Sequence, residues 1–203
     1  EPWLIPDPDT LPDIDCNFAT DPEGFLRYGR DPELLTVPWA PAGTPHMQHR
    51  IGGLEKEDGT GNVSYDPANH HKMGLYRRDK VDGMAREIPP TEILGDATGG
   101  DLLVVGWGST YGSITTAVEQ ARADGKSVSA IHVRYMSPLP PDLGDILGRY
   151  THVLVPELNL GQFVDLIRTR YLVDAKSYAK CAGRPFAVSE LIGAIDDILD
   201  GEA

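Results

Sequence analysis

Two patterns of apolar residues follow one another along the chain and change character near residue 100. From Asp101 onward, short solid apolar runs alternate with amphipathic stretches. "LLVVGW" (102–107) reads as a buried strand. "SITTAVEQARADG" follows, with Ile114, Ala117, Val118 and Ala121 at helical spacing and Gly125 as a C-terminal stop. "SVSAIHVRYM" predicts a second strand, "PPDLGDILGRY" a short helix opened by proline, and "HVLVPELN" a third strand. "GQFVDLIRTRYLV" places Phe163, Val164, Ile167 and Tyr171 on one side of a helix, and "AKSYAKCAG" predicts a fourth strand. "SELIGAIDDILD" closes the pattern as a helix, with Ser189 as its expected N-cap and Leu191, Ile192, Ile195, Ile198 and Leu199 on its apolar face. Strands alternating with helices at this spacing imply right-handed crossovers. The fold class expected is α/β, a small, mainly parallel sheet covered by helices on both faces.

The front of the chain has no such rhythm. Twelve of the seventeen prolines fall within the first 90 residues, and "EPWLIPDPDTLPDID" carries Pro2, Pro6, Pro8 and Pro12. Neither a helix nor a central strand persists through that punctuation. Such a stretch is either a disordered tail or an arm that packs on a neighbouring domain. Trp3, Trp39, Phe18, Phe25 and Leu26 favour the arm, because disordered tails are poor in aromatic residues. "YDPANHHKMGLYRRDKVDGMARE" (65–87) opens with Asp66 and Pro67, an N-cap oxygen followed by a first-turn proline. It predicts a solvent-facing helix over 67–86 that carries the one basic stretch. The expected organisation is an extended arm over 1–64, a connecting helix and linker over 65–100, and the α/β domain over 101–203.

Composition narrows the class. The formal net charge of −13 argues against a nucleic-acid partner and fits a solvated acidic surface. No run of about 18 apolar residues predicts a membrane span, and no basic, then apolar, N-terminal pattern predicts a secretory signal. Cys16 and Cys181 stand far apart, which suits a reducing compartment, the cytoplasm, and cannot alone supply an iron–sulfur cluster. The chain opens on Glu1 rather than Met, and reads as a portion of a longer protein.

Three places offer polar chemistry. Gly106, Gly108 and Gly112 form GxGxxxG after the first strand. The dinucleotide fingerprint needs its third glycine one position earlier, where Tyr111 stands, and a carboxylate after the next strand, where His132 and Arg134 stand. The glycines therefore read as a sharp strand-to-helix turn capped by Ser109 or Ser113, whose helix N-terminus faces an anion only if one comes from elsewhere. His46, His49 and Arg50 lack a third metal ligand at useful spacing and read as cationic or donor groups beside an anion. Glu157, Asn159 and Gln162 follow the third strand, where open α/β sheets place ligands or partners. An equal reading there has Asn159 capping the next helix. No catalytic residue and no metal site are assigned within the chain. An independent nucleotide- or coenzyme A-binding module is the alternative to a part of a larger enzyme.

These motifs, in this order, carry a family resemblance. "GLEKEDGTGNVSYDPANHHKM" resembles the G-L-E-H…G…YDP-x-N-H-x-x-M segment of the α subunits of 2-oxoacid:ferredoxin oxidoreductases, particularly the 2-oxoglutarate branch. "VVGWGSTYGSITTAVEQARADGKSVSAIHVRYMSPLP" is similar to their transketolase-C-like domain. "VPELNLGQF" and "KCAGRPFAVSELIGAI" resemble the family's E-x-N-x-GQ and K-x-x-G-x-PF…I patterns, and "EPWLIPD" resembles the exit from its preceding domain. One departure is Lys56, where the family commonly has His. The resemblance implies oxidative decarboxylation of a 2-oxoacid with coenzyme A, giving acyl-CoA and CO2 and reducing ferredoxin. It implies thiamine diphosphate, Mg2+ and an iron–sulfur (4Fe-4S) cluster in the complete complex, held mainly outside these residues. It implies two polypeptide neighbours, an upstream pyrimidine-binding domain of the same subunit and a β subunit. This segment would then have a structural, assembling role.

Overall fold

The computed structural model describes residues 4–14, 16 and 18–201. The chain divides into two compact units, Glu1–Gly83 and Met84–Ala203.

In the second unit the expected alternation is present. β1 (Ile93–Leu94), β2 (Gly100–Trp107), β3 (Val128–Val133), β4 (Tyr150–Glu157) and β5 (Ala175–Ala179) form one sheet in the order β1-β3-β2-β4-β5. Four neighbouring strands, β3, β2, β4 and β5, run parallel; β1 is antiparallel to β3, with Ile93 opposite Ile131. The chain crosses between strands through α2 (Tyr111–Ala123), α3 (Leu143–Leu147) and α4 (Gln162–Tyr171), and ends on α5 (Val188–Leu199).

Side chains alternate across a strand, so each strand feeds two cores. Leu103, Val105, Ile131, Val133, Val153 and Val155 pack against α3 and α4. Leu102, Val104, Val128, Ala130 and Leu154 pack against α2 and α5. A strand buried on both faces has to be apolar at every position, which is why "LLVV" shows no alternation.

β1 is a finding that sequence periodicity did not supply, since two residues carry no period. The expected cap of α5 is corrected. The residue preceding α5 is Ala187, not Ser189; the cap is made by the Glu190 carboxylate, which accepts from Ala187 N at 2.8 Å. Lys180 Nζ, 2.5 Å away, and the Ala187 N–H hold the Glu190 carboxyl below its ordinary range.

The first unit contains α1 (Pro67–Gly83), and Ala68 N donates to Asp66 Oδ1 at 3.0 Å, the expected cap. The helix stops three residues before the predicted end, and a 3-10 turn, Met84–Glu87, begins the second unit. Only Met73 of α1 is buried. Polar staples hold the unit. Asn69 Nδ2 donates to Lys56 O at 2.8 Å, and its Oδ1 accepts from Asp58 N at 3.0 Å. Glu55 meets His70 at 2.6 Å and Arg77 at 3.4 Å; Asp58 meets Lys72 at 2.6 Å and Arg30 at 3.1 Å. The basic helix is therefore consumed in large part by the acidic loop next to it. Lys56 is buried, and its Nζ donates to Gly52 O (2.7 Å) and Leu54 O (2.5 Å). Among the described residues, no helix is long and apolar enough to cross a membrane.

Candidate functional site

The glycine corner after β2 is closed by its own side chains. Gly106 is buried; a Cβ there would lie 2.5 Å from Ile114 Cδ1, so any larger residue would force the buried Ile114 side chain to shift. Gly108 follows at φ +59°, while the side of Gly112 is open. Thr110 Oγ1 donates to Trp107 O at 2.8 Å and accepts from Trp107 N at 3.2 Å, bracing the turn. The cap expected from Ser109 or Ser113 is not made. Ser109 is exposed, and Ser113 Oγ donates to Phe186 O at 2.9 Å, tying α2 to the segment before α5. The corner is a braced turn: Thr110 ties it back to Trp107, and α2 starts without a side-chain cap.

β2 and β4 are neighbours whose following helices lie on opposite faces, so the sheet's switch point lies at Trp107 and Glu157. That is where a doubly wound sheet opens a crevice for a ligand. Here the crevice is filled. Glu157 continues the Val153–Val155 side of β4 and is fully buried beneath α4. Its carboxylate accepts from Phe163 N and Val164 N, both at 2.9 Å, and from Trp107 Nε1 at 3.4 Å. Trp107 continues the Leu103–Val105 side of β2, and its ring lies 6.1 Å from that of Phe163. A helix N-terminus attracts an anion, and α4 has one from its own chain. Burying a lone carboxylate costs several kcal/mol. Three N–H donors and the helix dipole offset that cost, at roughly 1.5–3 kcal/mol per charge-assisted bond.

The expected cap from Asn159 is thereby corrected: Gly161, at φ +93°, precedes α4, and Glu157 supplies the capping oxygens. Asn159 Oδ1 instead accepts from Gly161 N at 2.9 Å, and Gln162 Oε1 accepts from Leu160 N at 3.1 Å. Asn159, Gln162, Trp107, Met136, Phe163 and Leu166 line a hollow of about 320 Å³. Glu157, Asn159 and Gln162 are thus brought together, with the glutamate underneath and the two amides at the hollow.

A second hollow, of about 440 Å³, lies on the other face of the sheet. Tyr111, Thr115 and Glu119 form one stripe of α2 along it, and His132 and Arg134 enter from the end of β3. Tyr111 meets the His132 ring edge-on at 5.1 Å. Burial pushes the His132 imidazole below its ordinary value of 6.5, the Arg134 charge adds to this, and a hydrogen bond with the Gly108 backbone opposes it. The sequence showed His132 and Arg134 only as the wrong end for a ribose; residues 88–94, which wall them in, gave no signal.

The third group lies in the first unit. His46 stands at φ +63° and is exposed; His49 Nδ1 lies 2.8 Å from Met47 O, and its ring packs on Phe25 at 5.8 Å; Arg50 is exposed. All three occupy one irregular segment, and His49 is half committed to local structure. Among the described residues, no three His, Cys, Asp or Glu side chains converge as a metal site, and Cys16 and Cys181 are both exposed.

Comparisons place this architecture. The family model described as pyruvate:ferredoxin oxidoreductase core domain II matches residues 100–191. Over 192 residues, 94% of the chain, the sequence is 46% identical to the 2-oxoglutarate oxidoreductase subunit KorA of Mycobacterium tuberculosis, of which it covers 29%. It is 30% identical over 183 residues, 86% of the chain, to 2-oxoacid:ferredoxin oxidoreductase 1, subunit alpha, of Aeropyrum pernix, of which it covers 28%. A solved structure of 2-oxoglutarate:ferredoxin oxidoreductase from Magnetococcus marinus, with 2-oxoglutarate, coenzyme A and succinyl-CoA bound, matches with a TM-score of 0.86 and 27% identity. That match covers 95% of this chain and 34% of the other. The chain spans less than a third of the length of either curated relative.

Proposed function

The chain belongs to the 2-oxoacid:ferredoxin oxidoreductases, among which it matches a stretch of the α subunits, and from that membership we propose that it serves a 2-oxoglutarate-converting enzyme. The reaction takes 2-oxoglutarate and coenzyme A to succinyl-CoA, CO2 and a proton, and passes two electrons singly to ferredoxin. The observation that carries this reading is the 46% identity, over 94% of the chain, to a 2-oxoglutarate oxidoreductase subunit.

Within that enzyme the chain's role is structural and assembling. The donors present do not fit the cofactors the family implies. No convergent set of His, Cys, Asp or Glu is available among the described residues for Mg2+ beside a diphosphate, and two exposed cysteines cannot hold a 4Fe-4S cluster. The N-terminus of α4 already holds Glu157. Thiamine diphosphate, Mg2+ and the cluster are assigned to a pyrimidine-binding domain of the same subunit and to a β subunit. The second unit is the transketolase-C-like domain of the subunit, and residues 1–64 are its arm, lying on that pyrimidine-binding domain. His46, His49 and Arg50 are the groups of the arm offered to an anion. The enzyme is cytoplasmic.

The test is turnover by the purified complex containing this chain. With coenzyme A and ferredoxin, succinyl-CoA is expected to form from 2-oxoglutarate faster than acetyl-CoA forms from pyruvate. A preference for pyruvate would overturn the substrate. Calorimetric titration of residues 1–203 with NAD, NADP and coenzyme A checks the independent-module alternative; silence with all three is expected, and tight binding of any would reinstate it.

A further inference from the structure

The loop Asn159–Leu160–Gly161–Gln162 is braced against itself. A backbone N–H can only donate, so the group facing Gly161 N must be Asn159 Oδ1, and the group facing Leu160 N must be Gln162 Oε1. Those two bonds fix both amide orientations. Asn159 Nδ2 and Gln162 Nε2 take no part in those two bonds, and both residues line the same hollow as the apolar Trp107, Met136, Phe163 and Leu166. The floor is stiff, because Glu157 holds the Trp107 indole and the first turn of α4 together. Within the same loop, Leu160 stands 79% exposed.

We infer that this hollow docks an extended polypeptide segment, one apolar side chain seated between Trp107, Phe163 and Leu166 and backbone carbonyls accepting from Asn159 Nδ2 and Gln162 Nε2. The segment belongs to the part of the α subunit outside residues 1–203, so the inference rests on the functional reading above. Three observations choose this occupant. The open groups at the hollow are neutral donors, suited to peptide carbonyls rather than to a phosphate or carboxylate, which would want a cation. The exposed leucine in the loop that carries Asn159 and Gln162, and the apolar side chains lining the hollow, are complementary features of a protein interface. Finally, the matched stretch is only 29% of its 46%-identical relative, so most of such a subunit's polypeptide lies elsewhere.

The experiment uses the complete enzyme. A benzophenone amino acid replaces Leu160 in the full-length α subunit, the complex is irradiated, and the crosslinked peptide is identified by mass spectrometry. A crosslink to α-subunit residues outside 1–203 is expected. The variants Asn159→Asp and Gln162→Glu, made together, keep an oxygen for Gly161 N and Leu160 N but replace both donors with acceptors. They are expected to lower the crosslink yield about tenfold while leaving the fold intact. A crosslink to the β subunit, no crosslink at all, or a yield unchanged by the double variant would each overturn the proposal. So would protection of the hollow by coenzyme A or 2-oxoglutarate without any polypeptide crosslink, which would make it a small-molecule site. The crosslink without 2-oxoglutarate turnover would leave the docking standing and remove the functional reading; turnover without the crosslink would do the reverse.

Discussion

The two units solve the problem of burial differently. The second unit places Leu102, Leu103, Val104, Val105 and their neighbours on two sides of one sheet and covers both with helices. The first unit buries only two apolar side chains among its described residues, Met47 and Met73. It leaves Leu4 97%, Ile5 81% and Trp39 60% exposed. What order it has comes from Asn69, Glu55, Asp58 and Lys56, through hydrogen bonds and ion pairs. Exposed ion pairs contribute little each, about 0–1 kcal/mol, so they shape a loop better than they stabilise a domain. On the proposed reading, the first unit completes its burial in the assembled subunit, and the second needs no such help.

Substitutions can break that contrast. The largest effect is expected from Phe163→Ala, which empties a buried position between α4 and Trp107: about 3–5 kcal/mol, read from urea unfolding of the second unit. Glu157→Ala follows, leaving Phe163 N, Val164 N and the Trp107 indole without their acceptor. A loss of about 2–4 kcal/mol is expected, together with faster hydrogen exchange in the first turn of α4. Trp39→Ser sharpens the comparison from the other side. In residues 1–203 alone it is expected to change stability by less than about 0.5 kcal/mol, but to lower the melting temperature of the complete complex.

The smallest effect is in pH. Glu55 is held below its ordinary 4.5 by Arg77 and then His70, so its contribution to the first unit is present above pH 4.5 and is lost as pH falls through the folded value. His132, held below 6.5 chiefly by burial, disfavours its own protonation. Its contribution to the second unit declines earlier, as pH falls below 6.5. Hydrogen exchange followed against pH is expected to show the second unit responding first. The reverse order would contradict both assignments.

The sequence was most legible where one physical rule acted alone. Apolar runs placed β2, β3 and β4, where burial on both faces leaves little freedom, and helical spacing placed α2, α4 and α5; the edge strand β5, half-exposed, was placed by its position in the alternation. The family was legible as well, from the order of "GLEKE", "YDPANHH" and "ELNLGQ". Capping was read less well. Glu157 and Asn159 are both acceptors near one helix start; strand alternation, which puts Glu157 in line with Val153 and Val155, decides between them. At α5, Glu190 reaches back to do what Ser189 was expected to do. Asn69 could not be read at all, since its clamp on residues 56–58 spans a distance that no local pattern records.

On the proposed reading, the first unit is finished by other polypeptide of the complete oxidoreductase. Hydrogen–deuterium exchange of 1–203 alone and of the complete oxidoreductase tests this directly. Equal protection of β2 and β4 in both samples, with residues 4–64 gaining about tenfold or more only in the complex, is the predicted result. Residues 4–64 as well protected in the isolated chain as in the complex would contradict it.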